Sequence, residues 1–210
     1  MRLVAVLLAA ALPVAGASDL FSWHSFEVRV ASRGRLEVTL HTRARTRHEL
    51  RSYDLSQVGP LVRWAATDRV ALVGSFYFRP QRTHPGVWIW GRRSFFGVEA
   101  PILKKPGNTV TSRVLVDRLI GTGRPDHNRY RALVRWTIGR GLVRPFVQHE
   151  TLAARTGFHS TRQSGGLTVQ ISEQLSMDAS YVYDTRRTFW GGDRQAIVTS
   201  VRWKPRTRAR

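Results

Sequence analysis

The chain of 210 residues contains no cysteine, which excludes a disulfide scaffold, a thiol nucleophile, thiolate metal sites and acylation through a cysteine. Stability must come from packing and hydrogen bonds alone. Lysine is nearly missing too: Lys104, Lys105 and Lys204 are the whole complement, so 31 of the 34 basic residues are arginine. Acid is scarce, with 14 Asp and Glu and a formal net charge of +20. Long apolar runs are absent beyond the first residues, and a helix needs roughly 20 of them to cross a bilayer. No stretch after residue 17 reads convincingly as an amphipathic helix.

What is present begins with a leader-like segment. Arg2 is followed by an apolar run from Leu3 to Val14 and then by Ala15-Gly16-Ala17 ahead of Ser18-Asp19. A basic start, a short apolar core and small residues at the cut describe a secretory signal peptide over 1-17, cleaved after Ala17. The expectation is an exported protein of a Gram-negative envelope, where a closed sheet satisfies its own backbone and needs no disulfide.

The rest is full of segments that alternate at period two, which places one set of side chains on each face of a strand. In the clearest, Leu36, Val38, Leu40, Thr42, Ala44 and Thr46 share one face, and Glu37, Thr39, His41, Arg43, Arg45 and Arg47 take the other. Candidate strands fall at 21-31, 35-48, 56-67, 70-80, 88-99, 109-121, 127-139, 142-154, 161-172, 175-187 and 194-204, separated by turn chemistry such as Ser32-Arg33-Gly34, Pro80 to Gly86 and Lys105-Pro106-Gly107-Asn108.

Evenly spaced strands leave a soluble sandwich and a transmembrane barrel. A sandwich buries its aromatics without regard to height, whereas an outer-membrane barrel collects them at two rims of its apolar outer face and keeps charge in the lumen. Here aromatics gather near strand ends, among them Trp23, Trp64, Trp136, Tyr181, Tyr183 and Trp203. Trp64, Trp136, Tyr181, Tyr183 and Trp203 are the expected girdle. The last strand, Ile197-Thr199-Val201-Trp203, is like the terminal signal read by barrel assembly machinery, although a basic tail over 205-210, expected to be disordered, follows it. The predicted fold is therefore an all-β, antiparallel transmembrane β-barrel over 18-204, with ten or twelve strands because bacterial barrels are normally even. Its location would be the bacterial outer membrane.

A spaced set of polar residues adds a resemblance. Arg113 and Asp117, the alternating Arg129-Tyr130-Arg131 with Arg135, Glu150, Arg162 followed by Gly165-Gly166, and Tyr181-Val182-Tyr183 resemble, in order and spacing, the second half of the predicted outer-membrane barrels grouped as domain of unknown function 2490. The resemblance covers 112-203. It departs where the family tends to pair an acid with a following Arg, since this chain has Glu99-Ala100-Pro101. It implies a barrel with charged residues turned inward on consecutive strands and carries no established activity.

Those charges form a candidate lumenal cluster of Arg113, Asp117, Arg129, Arg131, Arg135, Glu150 and Arg162. Residues two or four apart share a strand face, so opposite charges meet across neighbouring strands. Two outcomes follow: a salt-bridged plug in a narrow lumen, or a constricted, porin-like, anion-preferring pore lined by guanidinium groups. Expected partners are outer-membrane lipids, with lipopolysaccharide phosphates offering contacts for arginine at the rim. Nucleic acid is not expected, because export removes it and the arginines alternate with apolar residues.

Catalytic signals are sparse. The seven histidines include no His-x-x-x-His pair, and His24-Ser25 and His159-Ser160 are adjacent pairs without a supporting motif. The expected function is non-enzymatic, structural or a narrow channel, with no metal or cofactor. A lipid-modifying enzyme and a soluble periplasmic β-sandwich that binds polyanions are the alternatives.

Overall fold

A computed structural model describes residues 20–47, 52–84, 87–121, 126–155, 157–186 and 192–205. The expected signal peptide and all of the basic tail beyond Pro205 lie outside the described residues. The described residues form eleven strands and no helix: β1 (Leu20–Arg33), β2 (Leu36–Arg47), β3 (Ser52–Ala65), β4 (Ala71–His84), β5 (Val87–Lys105), β6 (Asn108–Ile120), β7 (His127–Ile138), β8 (Val143–Ala154), β9 (Gly157–Gln170), β10 (Leu175–Arg186) and β11 (Arg194–Trp203). They close into one barrel in which each strand pairs with its neighbours in sequence and β1 meets β11.

The count corrects the even number expected. Consecutive strands pair antiparallel, so with eleven of them the first and last run in the same direction. The β1–β11 seam is accordingly parallel, from Leu20 opposite Gln195 to Val28 opposite Trp203. The barrel is thus mixed, and Leu20 and Trp203 lie at opposite ends. We call the end holding Leu20 the upper one.

All eleven candidate strands exist, with several limits displaced, two of them at proline. Pro80 was read as opening a turn, yet β4 continues through it to His84, with Pro80 opposite Trp90. Pro101 was expected beyond the end of its strand, yet β5 runs on to Lys105 past a bulge between Pro101 and Leu103. Proline removes one ladder donor, and the bulge after Pro101 accommodates that loss in β5.

Polarity is inverted relative to a water-soluble core. Twenty-nine large apolar residues among those described are exposed, including Trp90 at 76% and Val114 at 59%, whereas the buried set holds more polar and charged residues than apolar ones. In β7 the outward series is Tyr130, Ala132, Val134 and Trp136, and the inward series is Arg129, Arg131, Leu133 and Arg135. The pleat thus turns the exposed apolar residues outward and the buried charges inward.

The inside is crowded. At Gly97 a Cβ would lie 2.0 Å from the Val114 carbonyl oxygen, so β5 and β6 approach closely there and only glycine fits.

Candidate functional site

Charge placed inward by alternation becomes a network because the register sets acids beside arginines on neighbouring strands. Asp117 stands directly opposite Arg129 across β6 and β7, and Glu150 opposite Arg162 across β8 and β9. Asp117 is fully buried and accepts from Arg93 Nη2 at 3.1 and 3.2 Å and from Arg129 Nε and Nη2 at 3.1 and 2.6 Å. Arg131 lies 3.6 Å from Asp117 and donates to Glu150 through Nε at 2.7 Å and through Nη2. Glu150 also accepts from Arg162 at 3.1 Å. Arg162 continues to Asp184 at 3.3 Å, where Arg186 also binds at 2.6 Å. One chain of ion pairs therefore links β5 through β10 along the inner wall.

Asp117, Arg129, Arg131, Glu150 and Arg162 from the sequence-based cluster share that chain. The other two members sit lower and belong to separate groups. Arg113 pairs with Glu99, which also takes Arg63 at 3.3 Å. Arg135 reaches across to Asp178 at 2.8 Å and to Thr168 at 2.8 Å, with its guanidinium 3.7 Å over the Phe146 ring. Arg202 donates to the same Asp178 at 2.6 Å. Arg135 on β7 thus reaches over Phe146 of β8 and Thr168 of β9 to Asp178 on β10, along the inner wall.

Sequence reasoning left Arg93, Asp184 and Arg186 out of the cluster, and likewise Arg45, which clamps Asp54 in a two-pronged pair at 2.9 and 2.6 Å. Arg45 stands on the polar face that alternation had already separated in β2. What alternation lacked was the register that makes these residues neighbours.

A packed aromatic layer projects inward at mid-height from β2, β4 and β5. Tyr77, 2% exposed, sits between the His41 ring at 5.2 Å and the Phe95 ring at 6.0 Å, with Arg93 over both Tyr77 and Phe95. Above this layer is a cavity of about 210 Å³ lined by nine arginines, Gln57, Gln81 and Trp23 among others, with no carboxylate among its lining residues. Below it is a second, mixed cavity of about 230 Å³ with Glu27, Glu37 and Glu99 beside Arg29, Arg63 and Arg113.

The expected girdle residues occupy the outward face at two heights. Trp64, Trp136 and Trp203 lie near the lower strand ends, and Trp136 Nε1 donates to Asn108 at 3.3 Å. Tyr181 and Tyr183 lie toward the upper end, bonded through their hydroxyls to Gln195 and, at 2.8 Å, to Asp193. Trp88, Trp90 and Tyr130 share that upper level. Trp23, grouped with rim aromatics from sequence, instead faces inward, where Arg162 lies 5.2 Å over its ring.

Of the adjacent histidine–serine pairs, His24-Ser25 diverges as strand neighbours do. His24 bonds Ser22 Oγ at 3.0 Å through Nε2 and Thr199 Oγ1 at 2.7 Å through Nδ1, all on the outward side. His159 and Ser160 are both buried. Among the described residues no three His, Asp or Glu side chains come together as a metal-ligand set.

Fold and site together define a class: a closed β-barrel with an apolar exterior and an ion-paired, arginine-rich interior. No family model matches the chain, and neither a curated protein nor a solved structure does.

Proposed function

We propose that this protein is a small, non-enzymatic β-barrel of the bacterial outer membrane, whose lumen is filled at mid-height by a salt-bridged plug. The observation that carries this is the inverted polarity: apolar and aromatic side chains cover the outside, and fully buried Asp54, Asp117 and Asp184 sit inside among arginines. In water the exposed belt would forfeit about 25 cal/mol for every Å² of apolar surface left wet, whereas hydrocarbon removes that cost. The closed ladder meets the other demand of a bilayer, that backbone groups be satisfied within the protein. The leader-like start and the resemblance of the second half to a family of predicted outer-membrane barrels agree with this reading. The soluble periplasmic sandwich loses its support, because a closed barrel has no second sheet to cover the apolar face.

The plug is favoured over an open pore by the layer of His41, Tyr77, Phe95 and Arg93 and by the ion-pair chain around it. Protein extracted from outer membranes should resist carbonate washing, migrate differently with and without boiling, and give little steady conductance in a planar bilayer. Release by carbonate with no boiling-dependent shift would refute the membrane assignment, and steady anion-preferring conductance would replace the plug with a pore.

A lipid-modifying enzyme has one specific observation behind it, the Ser22–His24–Thr199 chain on the outward face, which has the order of nucleophile, base and orienting group. Against it, the orienting group is a neutral hydroxyl, and β1 is paired on both sides at this height, leaving its amides committed to the ladder rather than to an oxyanion. Phospholipid hydrolysis lost on Ser22→Ala would establish the enzyme.

A further inference from the structure

The upper cavity holds more hydrogen-bond donors than the protein supplies acceptors for, and they stand in a row. Arg43 on β2 is directly opposite Gln57 on β3. The pairs Leu55 with Gln81 and Val58 with Phe78 bring Gln57 opposite Arg79 on β4. Arg93 on β5 lies opposite Tyr77, one inward position below Arg79. Four inward donors from four consecutive strands thus line one wall of the cavity. Gln57 is 3% exposed and its Nε2 has no partner, and the buried Nε atoms of Arg79 and Arg93 have none either. Among the described residues, Arg43 and Arg79 have no carboxylate within ion-pair distance, in contrast to Arg45, Arg93 and Arg129.

Every unmet group in this row is a donor, and two members are cations with no carboxylate in ion-pair contact among the described residues. Buried donors without acceptors, and buried charges without counter-charges, are costly. A compact anion rich in acceptors removes the charge cost directly, and it meets the enclosed Nε and Nε2 donors once those side chains turn toward the cavity. Guanidinium groups match phosphate oxygens in two-pronged geometry. A tetrahedral phosphate presents acceptors in several directions, as a curved wall of four donors requires, whereas a carboxylate presents two oxygens in one plane. The volume of about 210 Å³ suits a phosphate or diphosphate group.

We propose that the upper lumenal cavity is a phosphate-binding site, with Arg43, Gln57, Arg79 and Arg93 as its recognition wall and a diphosphate or phosphomonoester as its ligand class. The site deepens the plugged-barrel reading and rests on it only in needing an upper mouth open to solution. The phosphate arrives either on a soluble molecule or on a lipid headgroup that enters this mouth.

The test is isothermal titration of the full barrel in detergent micelles with sodium pyrophosphate in a chloride background, boiling-dependent migration being checked on the same preparation. Saturable binding of one pyrophosphate per barrel is expected, weakened roughly ten- to hundredfold by Arg79→Gln, the worth of one charge-assisted contact. Gln57→Leu, which removes no charge, should weaken it less, and Arg202→Gln, at the opposite end, should leave it unchanged. Lipopolysaccharide that displaces bound pyrophosphate would identify the lipid-borne source, and failure to displace it the soluble one. Heat-modifiable protein that takes up no pyrophosphate, or binds it identically in the Arg79→Gln and Gln57→Leu variants, would overturn the site and leave the barrel standing. Protein with no boiling-dependent shift would instead overturn the barrel reading beneath it.

Discussion

Replacing Asp117 with Asn tests whether the lumenal network holds the barrel together. The Asp117 side chain is fully buried and within ion-pair distance of Arg93, Arg129 and Arg131. Asparagine keeps the shape but removes the charge and turns one acceptor into a donor, which then faces guanidinium donors. Three arginines would be left crowded, with Glu150 still bonding Arg131 and, among the described residues, no carboxylate bonding Arg93 or Arg129. Breaking a buried pair by removing one partner costs about 3–5 kcal/mol, and a carboxylate shared by three cations belongs at the upper end of that range. The assay is reversible urea unfolding in lipid vesicles, followed by the fluorescence of the chain's seven tryptophans. Adding Arg129→Gln should recover part of the loss, because it removes one uncompensated charge and the two sites are in contact. Glu37→Gln is the internal comparison. Its partners Arg29 and Lys204 lie 3.8 Å away and are more exposed, so less than about 1 kcal/mol is expected. A loss below about 1 kcal/mol for Asp117→Asn, or no recovery in the double variant, would refute the network as the source of stability.

Further outcomes follow from other features. Val114→Arg on the outward face of β6 should cost about 2–4 kcal/mol in a bilayer, whereas on a water-exposed strand it would stay within about 0.5 kcal/mol; equilibrium unfolding in vesicles distinguishes these. Gly97→Ala sets a methyl against the Val114 carbonyl, where a Cβ would lie 2.0 Å from the oxygen, and should cost about 1–3 kcal/mol or more by urea titration. Tyr77→Ala removes the centre of the layer between the two cavities and should raise single-channel conductance above that of the parent protein; unchanged conductance would mean that other side chains close the lumen.

The sequence by itself determined the strands and their faces. Alternation in Leu36 to Arg47 separates Leu40 from His41 and Arg43 without knowledge of any partner strand, because the pleat makes that division locally. Hence all eleven strands, the apolar exterior and the inward placing of Arg129, Arg131 and Arg135 were legible. Only the tertiary structure decided how those faces close. The strand number rests on whether β1 meets β11, a pairing between residues more than 170 positions apart, and no local pattern distinguishes a parallel seam from one further antiparallel strand. Register is equally non-local: it gives Asp117 three arginines while leaving Arg43 and Arg79 with no carboxylate within ion-pair distance among the described residues, although all five arginines look alike along the chain. Trp23 makes the same point, since an aromatic near a strand end belongs to the rim or to the lumen according to which side of the closed wall its strand presents. The charge was written in the sequence, and closure of the sheet determined which charges are cancelled and which are left facing an open cavity.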